Sequence, residues 1–286
     1  MNKIKDLIYY TSVVYIIHYI FSSSFIEEIN TSYSNLITIG IIPYIMSNFV
    51  FWTLSILFSY NDLKKEKTYL LKYKIQENKN RPLLLSTIYD TLPLVILNVV
   101  FINFVLLIGL SYYYKYSSIT KHSFLESLPY YLCAICIEEI LFYYIHRLLH
   151  WGIFYKYIHK IHHRYTAPIG FVTFYSHPIE HILTNMFPTI FVMYILKAPI
   201  NILQTWTCMA ILTATISHCG YHYPFSPSAE SHDYHHYGFS NNFGVTGILD
   251  MLHGTDKKFR STGLQKRNIV LFSSKSAKEL YPNDKE

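Results

Sequence analysis

The chain has 286 residues, of which 51% are hydrophobic and only 15% charged, with a positive mean hydropathy. That balance is too apolar for an ordinary soluble domain and reads as a membrane protein. The net charge of +6 comes as short Lys/Arg clusters at the ends of apolar runs. Such clusters suit membrane orientation, and no nucleic-acid partner is expected.

In chain order, residues 8 to 26 form the first apolar run, which contains His18 and a serine stretch. No A-x-A-like site follows it, so it reads as an uncleaved anchor rather than a signal peptide. Residues 36 to 60 and 91 to 113 have the length and composition of transmembrane helices. Residues 128 to 145 form a fourth run, apolar except for Glu138 and Glu139. Its Cys133 and Cys136 have no neighbouring cation to lower a thiol pKa and are expected to pack between helices. Residues 182 to 197 and 200 to 217 flank Ala198-Pro199 and read as the two arms of a hairpin. The expected fold is all-α: a polytopic bundle of about four spans plus a helical hairpin, with a histidine-rich helical cap.

The loop between the second and third runs carries Lys64, Lys65, Lys67, Lys72, Lys74, Lys79 and Arg81, which makes it cytoplasmic by the positive-inside rule. Counting spans from there places residues 115 to 127 on the far side and residues 146 to 181 and 218 to 286 in the cytoplasm. The tail residues Lys257, Lys258, Arg260, Lys266 and Arg267 agree. The sequon Asn30-Thr31-Ser32 falls on the lumenal side, where it is open to glycosylation. Three regions result: a transmembrane part with a basic loop (1-127), a catalytic domain (128-256) and a basic tail (257-286).

Twelve of the fifteen histidines lie between His146 and His236. His146 and His150 are spaced i, i+4, and His159, His162 and His163 are spaced i, i+3, i+4, so each set shares a helical face. The same rhythm returns beyond the hairpin, first as His218 and His222, then as His232, His235 and His236. Ten imidazoles exceed what one metal holds and suit two adjacent metals of about five ligands each. Imidazole alone does not select the metal. Neither HExxH nor the Glu-x-x-His pair of carboxylate-bridged bundles is present. A histidine-rich dinuclear centre is therefore the main chemical expectation; His18, His122 and His253 stand apart and read as structural or exposed. A membrane metal transporter is the alternative of another class, but it would distribute ionisable ligands through the span.

HRLLH, HKIHH, SHPIEH, SHCGYH and HDYHH, closing on NNFGVTGILDMLHGTD, resemble the fatty acid hydroxylase and sterol desaturase superfamily of integral membrane di-iron enzymes from Glu138 to Asp256. IHRLLH with YKYIHKIHH is similar to the C4-methylsterol oxidases. Phe243 in NFG stands where the superfamily commonly has tyrosine, and His222 where several sterol oxidases have another residue.

The resemblance implies an oxidoreductase: a monooxygenase with two Fe as cofactor and O2 as co-substrate, in the endoplasmic reticulum membrane. Splitting O2 to hydroxylate a C–H bond needs a redox-active metal, which zinc is not. The implied substrate is a lipid, with a sterol C4 methyl group favoured over a fatty-acyl chain or sphingolipid. The chain has neither a GxGxxG fingerprint nor an HPGG-type haem box, so a cytochrome b5/reductase-type donor is implied. Glu139, two turns before His146, is the first candidate for a residue supporting the ligands, followed by Glu138. His177, Glu180 and Asn242 are further candidates, with Asp250 on resemblance alone. His177 is also a candidate ligand, and His181 fits either this group or plain packing.

Overall fold

The computed structural model describes residues 2–64, 66, 68–80, 82–113 and 122–282. Lys65, Lys67 and Arg81 of the basic loop, and most of the 115 to 127 loop, lie outside them. Among the described residues the protein is all-helical, with two isolated bridges and no strand.

Helix α1 spans Asn2–Phe21 and a short α2 spans Ser24–Ser32. The two helices α3 (Leu36–Leu63) and α4 (Leu85–Tyr112) are each 28 residues long. Pro93 lies inside α4, where it can donate no backbone hydrogen bond; the helix continues through a widened turn at Leu97–Ile102. Helix α5 (Phe124–Leu149) starts from a capping box in which Ser123 and Glu126 each accept the other's backbone N–H. Helix α6 is built head to tail from Pro178–Glu180, His181–Met186 and Phe187–Ile195, and α7 is Ile200–Ser217. Two short helices, α8 (Glu230–Gly238) and α9 (Ile248–His253), follow.

Among the described residues three helices, α3, α4 and α7, are long and apolar enough to cross a membrane. The expected first and fourth spans form helices of 20 and 26 residues but are more polar. Lys3, Lys5 and Asp6 open α1, and Glu126, Glu138, Glu139 and Arg147 punctuate α5. The hairpin arms, Pro178–Ile195 and Ile200–Ser217, are equally long, but of the two only the second is apolar enough to cross. Helix α7 is the central one: its apolar window is 56% buried, against 22% for α3 and 33% for α4. Trp206, Ile202 and Leu203 of α7 pack with Ile39, Tyr131, Val192 and Met193. Cys133 and Cys136 do not pack between helices as expected; both are exposed on the outer face of α5.

Polar contacts sort the chain into two ends. At one end Asn201 donates to Ser22 Oγ (2.9 Å) and to the His122 carbonyl (3.1 Å). Asn30 and Gln204 pair reciprocally there, so the sequon asparagine is tied into the fold. At the other end buried Lys74 binds both oxygens of Asp62 at 2.7 Å, and Tyr221 donates to the same carboxylate. Asp6 accepts the Val270 N–H at 2.9 Å, which brings the start of α1 to the tail. The basic loop, the tail and the histidines thus share one end of the bundle.

Candidate metal centre

The last turn of α5 and its C-cap residue present His146 and His150 one turn apart. Beyond Leu149 the helix stops, and Tyr155–His159 form a wide turn followed by a tight one at His162–Arg164. The HxxHH of residues 159 to 163 is therefore not one helical face. In α8, His232 and His236 are one turn apart, while His235 is rotated about 100° from His236 and looks the other way.

These turns assemble two adjacent groups of ring nitrogens, each group lying within 4.8 Å of one another. The first is His146, His150, His159, His163 and His235; the second is His162, His218, His232 and His236. Each draws on both sides of the hairpin, because His235 joins the first group and His162 the second. The spacing repeat does not correspond to one site per half.

Hydrogen bonds fix which nitrogen carries the proton. Nδ1 of His146 donates to the Phe243 carbonyl (2.8 Å), His162 to Tyr175 (3.2 Å) and His218 to Ala214 (2.8 Å). His235 donates to Asn241 (2.6 Å) and His236 to Tyr165 (3.0 Å). A carbonyl can only accept, so these five rings hold their hydrogen on Nδ1 and turn an Nε2 lone pair inward. Nε2 of His162 and His218 then face each other at 3.3 Å with no hydrogen between them. The Nε2 of buried His236 has no protein partner. Converging lone pairs repel unless a cation lies among them, and imidazole is a donor suited to iron, zinc or copper. The residues fit a metal pair of this kind. Burial and the neighbouring rings keep the imidazoles neutral: the pKa falls to about 4 at His162, about 3 at His218 and about 2 at His150.

A second layer of carboxylates holds the ligand-bearing segments. Buried Glu180 lies 2.9 Å from His159 Nδ1, a carboxylate beside the ring without hydrogen-bond geometry. Buried Glu139 accepts the backbone N–H groups of Val245, Thr246 and Leu249 at 2.7–3.1 Å. Asp250 accepts those of Phe243 and Gly244, both at 2.7 Å. Together they fix the loop whose Phe243 carbonyl orients His146. Asn242, at φ 56°, donates to the Ser231 carbonyl and ties the same loop to α8.

Other sequence candidates are placed elsewhere. His222 is outside both groups: its Nε2 donates to the Ile269 carbonyl (2.9 Å), and its Nδ1 faces Glu230 at 3.8 Å. Tyr221, the residue before it, pairs with Lys74 in an isolated bridge rather than lying in a helix, so the i, i+4 spacing from His218 does not align the rings. Glu138 accepts from Thr189 of α6 and lies about two turns before His146 along α5. His177 caps α6 by accepting the Ile179 N–H, and His181 is buried between Asn103 and Asn185.

A cavity of about 30 Å3, room for one water, touches both groups. Phe142, Thr173, Ser176, Thr184 and Asn185 complete its wall with Glu180. None of the first five was marked by the sequence, because no spacing distinguishes a cavity-lining Thr or Ser from one bonded to its own helix.

A fatty acid hydroxylase family model matches residues 131–255. Fatty acid hydroxylase domain-containing protein 2 of Homo sapiens is 38% identical over 237 residues, which cover 82% of this chain and 71% of that protein. The chain belongs to the fatty acid hydroxylase family. Within this family, methylsterol monooxygenase 2-2 of Arabidopsis thaliana is 33% identical, covering 70% of this chain and 80% of that protein. A fatty acid hydroxylase of Mycosarcoma maydis is 32% identical, covering 72% of this chain and 54% of its own. No solved structure matches the chain. Its relatives include hydroxylases and monooxygenases, and this fatty acid hydroxylase family member is an integral membrane oxidoreductase.

Proposed function

We propose that the protein is a membrane-bound di-iron, O2-dependent lipid hydroxylase acting on a sterol, with a C4 methyl group as the position oxidised. The observation that carries the metal assignment is the pair His162 and His218, whose Nε2 lone pairs face each other while both Nδ1 hydrogens are committed to carbonyls. Five imidazoles would hold one iron and four the other. Bound there, iron supplies the redox chemistry that activates O2.

The chain's own residues hold and orient the rings. Backbone carbonyls fix five rings in one tautomer, Glu180 lies beside His159, and Glu139 with Asp250 immobilises the loop behind His146. The small cavity beside both groups is walled in part by Phe142, which gives the side next to the histidines an apolar surface. A sterol substrate is supported by the methylsterol monooxygenase among the relatives and by the position of the cavity beside α5 and α6. Electrons come from a cytochrome b5/reductase-type donor at the cytoplasmic face of the endoplasmic reticulum. A transport path would spread ligands along the spans, whereas these nine gather at one end.

The test is turnover by the reconstituted protein with a 4-methylsterol, a reducing system and O2. Hydroxymethyl product is expected. Its absence beside hydroxylation of a fatty-acyl lipid or sphingolipid would replace the sterol assignment.

A further inference from the structure

The outer face of α5 carries an unbroken ridge of exposed side chains at every fourth position: Leu132, Cys136, Ile140, Tyr144 and Leu148. It does not stop at the level of His146 and His150. Trp151 extends it at 72% exposure, and Ile153 (65%) and Tyr157 (61%) carry it across the elbow between the first two histidine motifs. Helix α9 flanks the ridge, since His253 Nε2 meets Tyr144 Oη at 3.0 Å, and it turns Ile248, Met251 and Leu252 outward. Arg147, Lys156 and Lys160 are exposed among these apolar groups.

A water-facing surface would not present this many large apolar side chains together. An aqueous cap is therefore a poor account of the elbow and α9. Helix α5, about 39 Å long at 1.5 Å per residue, exceeds the ~30 Å of hydrocarbon and carries the ridge into the headgroup zone. Tryptophan and tyrosine prefer that zone, and cations beside apolar groups suit anionic headgroups.

We propose that the elbow at 151 to 157 and helix α9 form a membrane-immersed apron, seated in the interface of the same bilayer and held there by anionic phospholipid headgroups. The histidine end of the protein is thereby half sunk in the membrane. Phe142 lies on α5 between Ile140 and Tyr144, so the cavity it walls is at the depth of this surface. A lipid reaches that level without crossing water.

The test uses the full-length protein in phosphatidylcholine vesicles containing a minor fraction of phosphatidylserine. Tryptophan emission is compared between the parent and Trp151→Phe, and the difference isolates Trp151 from Trp52 and Trp206. Trp151 is exposed, so the variant is expected to keep its fold, and unchanged metal content checks this. The apron predicts a blue-shifted difference spectrum that loses most of its intensity to phospholipids brominated near the glycerol end of the acyl chain and little to acrylamide. Red-shifted emission quenched by acrylamide alone would place Trp151 in water and overturn the proposal. Insensitivity to both quenchers would mean that protein, such as a second copy of this chain, covers it, and would overturn it equally. Neither readout depends on turnover, so failure here leaves the proposed reaction standing.

Discussion

The carboxylate of Glu139 occupies the space into which any side chain on Gly244 would grow. A Cβ there would lie 2.6 Å from Glu139 Oε1 and 2.9 Å from Asp250 Oδ2. Neither carboxylate can retreat without releasing the backbone amides it binds. Gly244→Ala is expected to cost about 1–3 kcal/mol through overpacking and to lower metal content by displacing the Phe243 carbonyl from His146. Thermal unfolding and elemental analysis of the purified variant check both; an unchanged melting temperature would remove Glu139 from this role.

His222 and His218 separate structure from ligation. His218→Ala removes an inward Nε2 from the second group, and loss of about one metal per chain is expected. His222→Ala removes the bond to the Ile269 carbonyl, with a stability loss of about 1–2 kcal/mol and full metal occupancy. Metal content of the two variants, measured side by side, tests the assignment. Equal loss in both would return His222 to the ligand set.

The Lys74–Asp62 ion pair is almost wholly buried and joins the basic loop to α3 and to Tyr221. Lys74→Met would leave Asp62 as an uncompensated buried charge, at an expected cost of about 3–5 kcal/mol. Adding Asp62→Asn is expected to recover part of that loss. Chemical unfolding of the single and double variants in detergent measures it; an undiminished single variant would show the pair to be exposed in solution.

Acid competes with metal only after the imidazoles protonate. Burial and mutual repulsion lower the pKa to about 4 at His162 and about 3 at His218, well under the ordinary value of 6.5. Metal should therefore stay bound through pH 6.5 and leave only as pH falls toward these lowered values. In the metal-free protein the unfolded chain takes up protons first, near 6.5. Stability then falls as pH drops below 6.5 and continues to fall until the folded-state pKa is reached. Metal retained after gel filtration across a pH series checks the first expectation. Half-release near 6.5 would mean that the histidines are solvated rather than buried.

The long helices were legible because apolar runs carry that information along the chain. Histidine spacing revealed nine residues that do converge, since i and i+4 share a face in α5 and α8. It misled at His222, where the chain has left α7 and turned into an extended segment held by Ile269. The partition was not legible either: His162 separates from His159 and His163 because the wide turn at Tyr155–His159 breaks helical phase. Glu139 was singled out by its position on the His146 face, and it binds loop amides rather than a ring. That contact joins residues a hundred positions apart, which no local pattern encodes.

Iron per chain is the most direct measure of the central claim. Protein purified from iron-replete cells without chelators should contain two irons per chain by elemental analysis, with His222→Ala retaining both. One zinc and no iron would contradict the di-iron centre and the hydroxylase chemistry drawn from it.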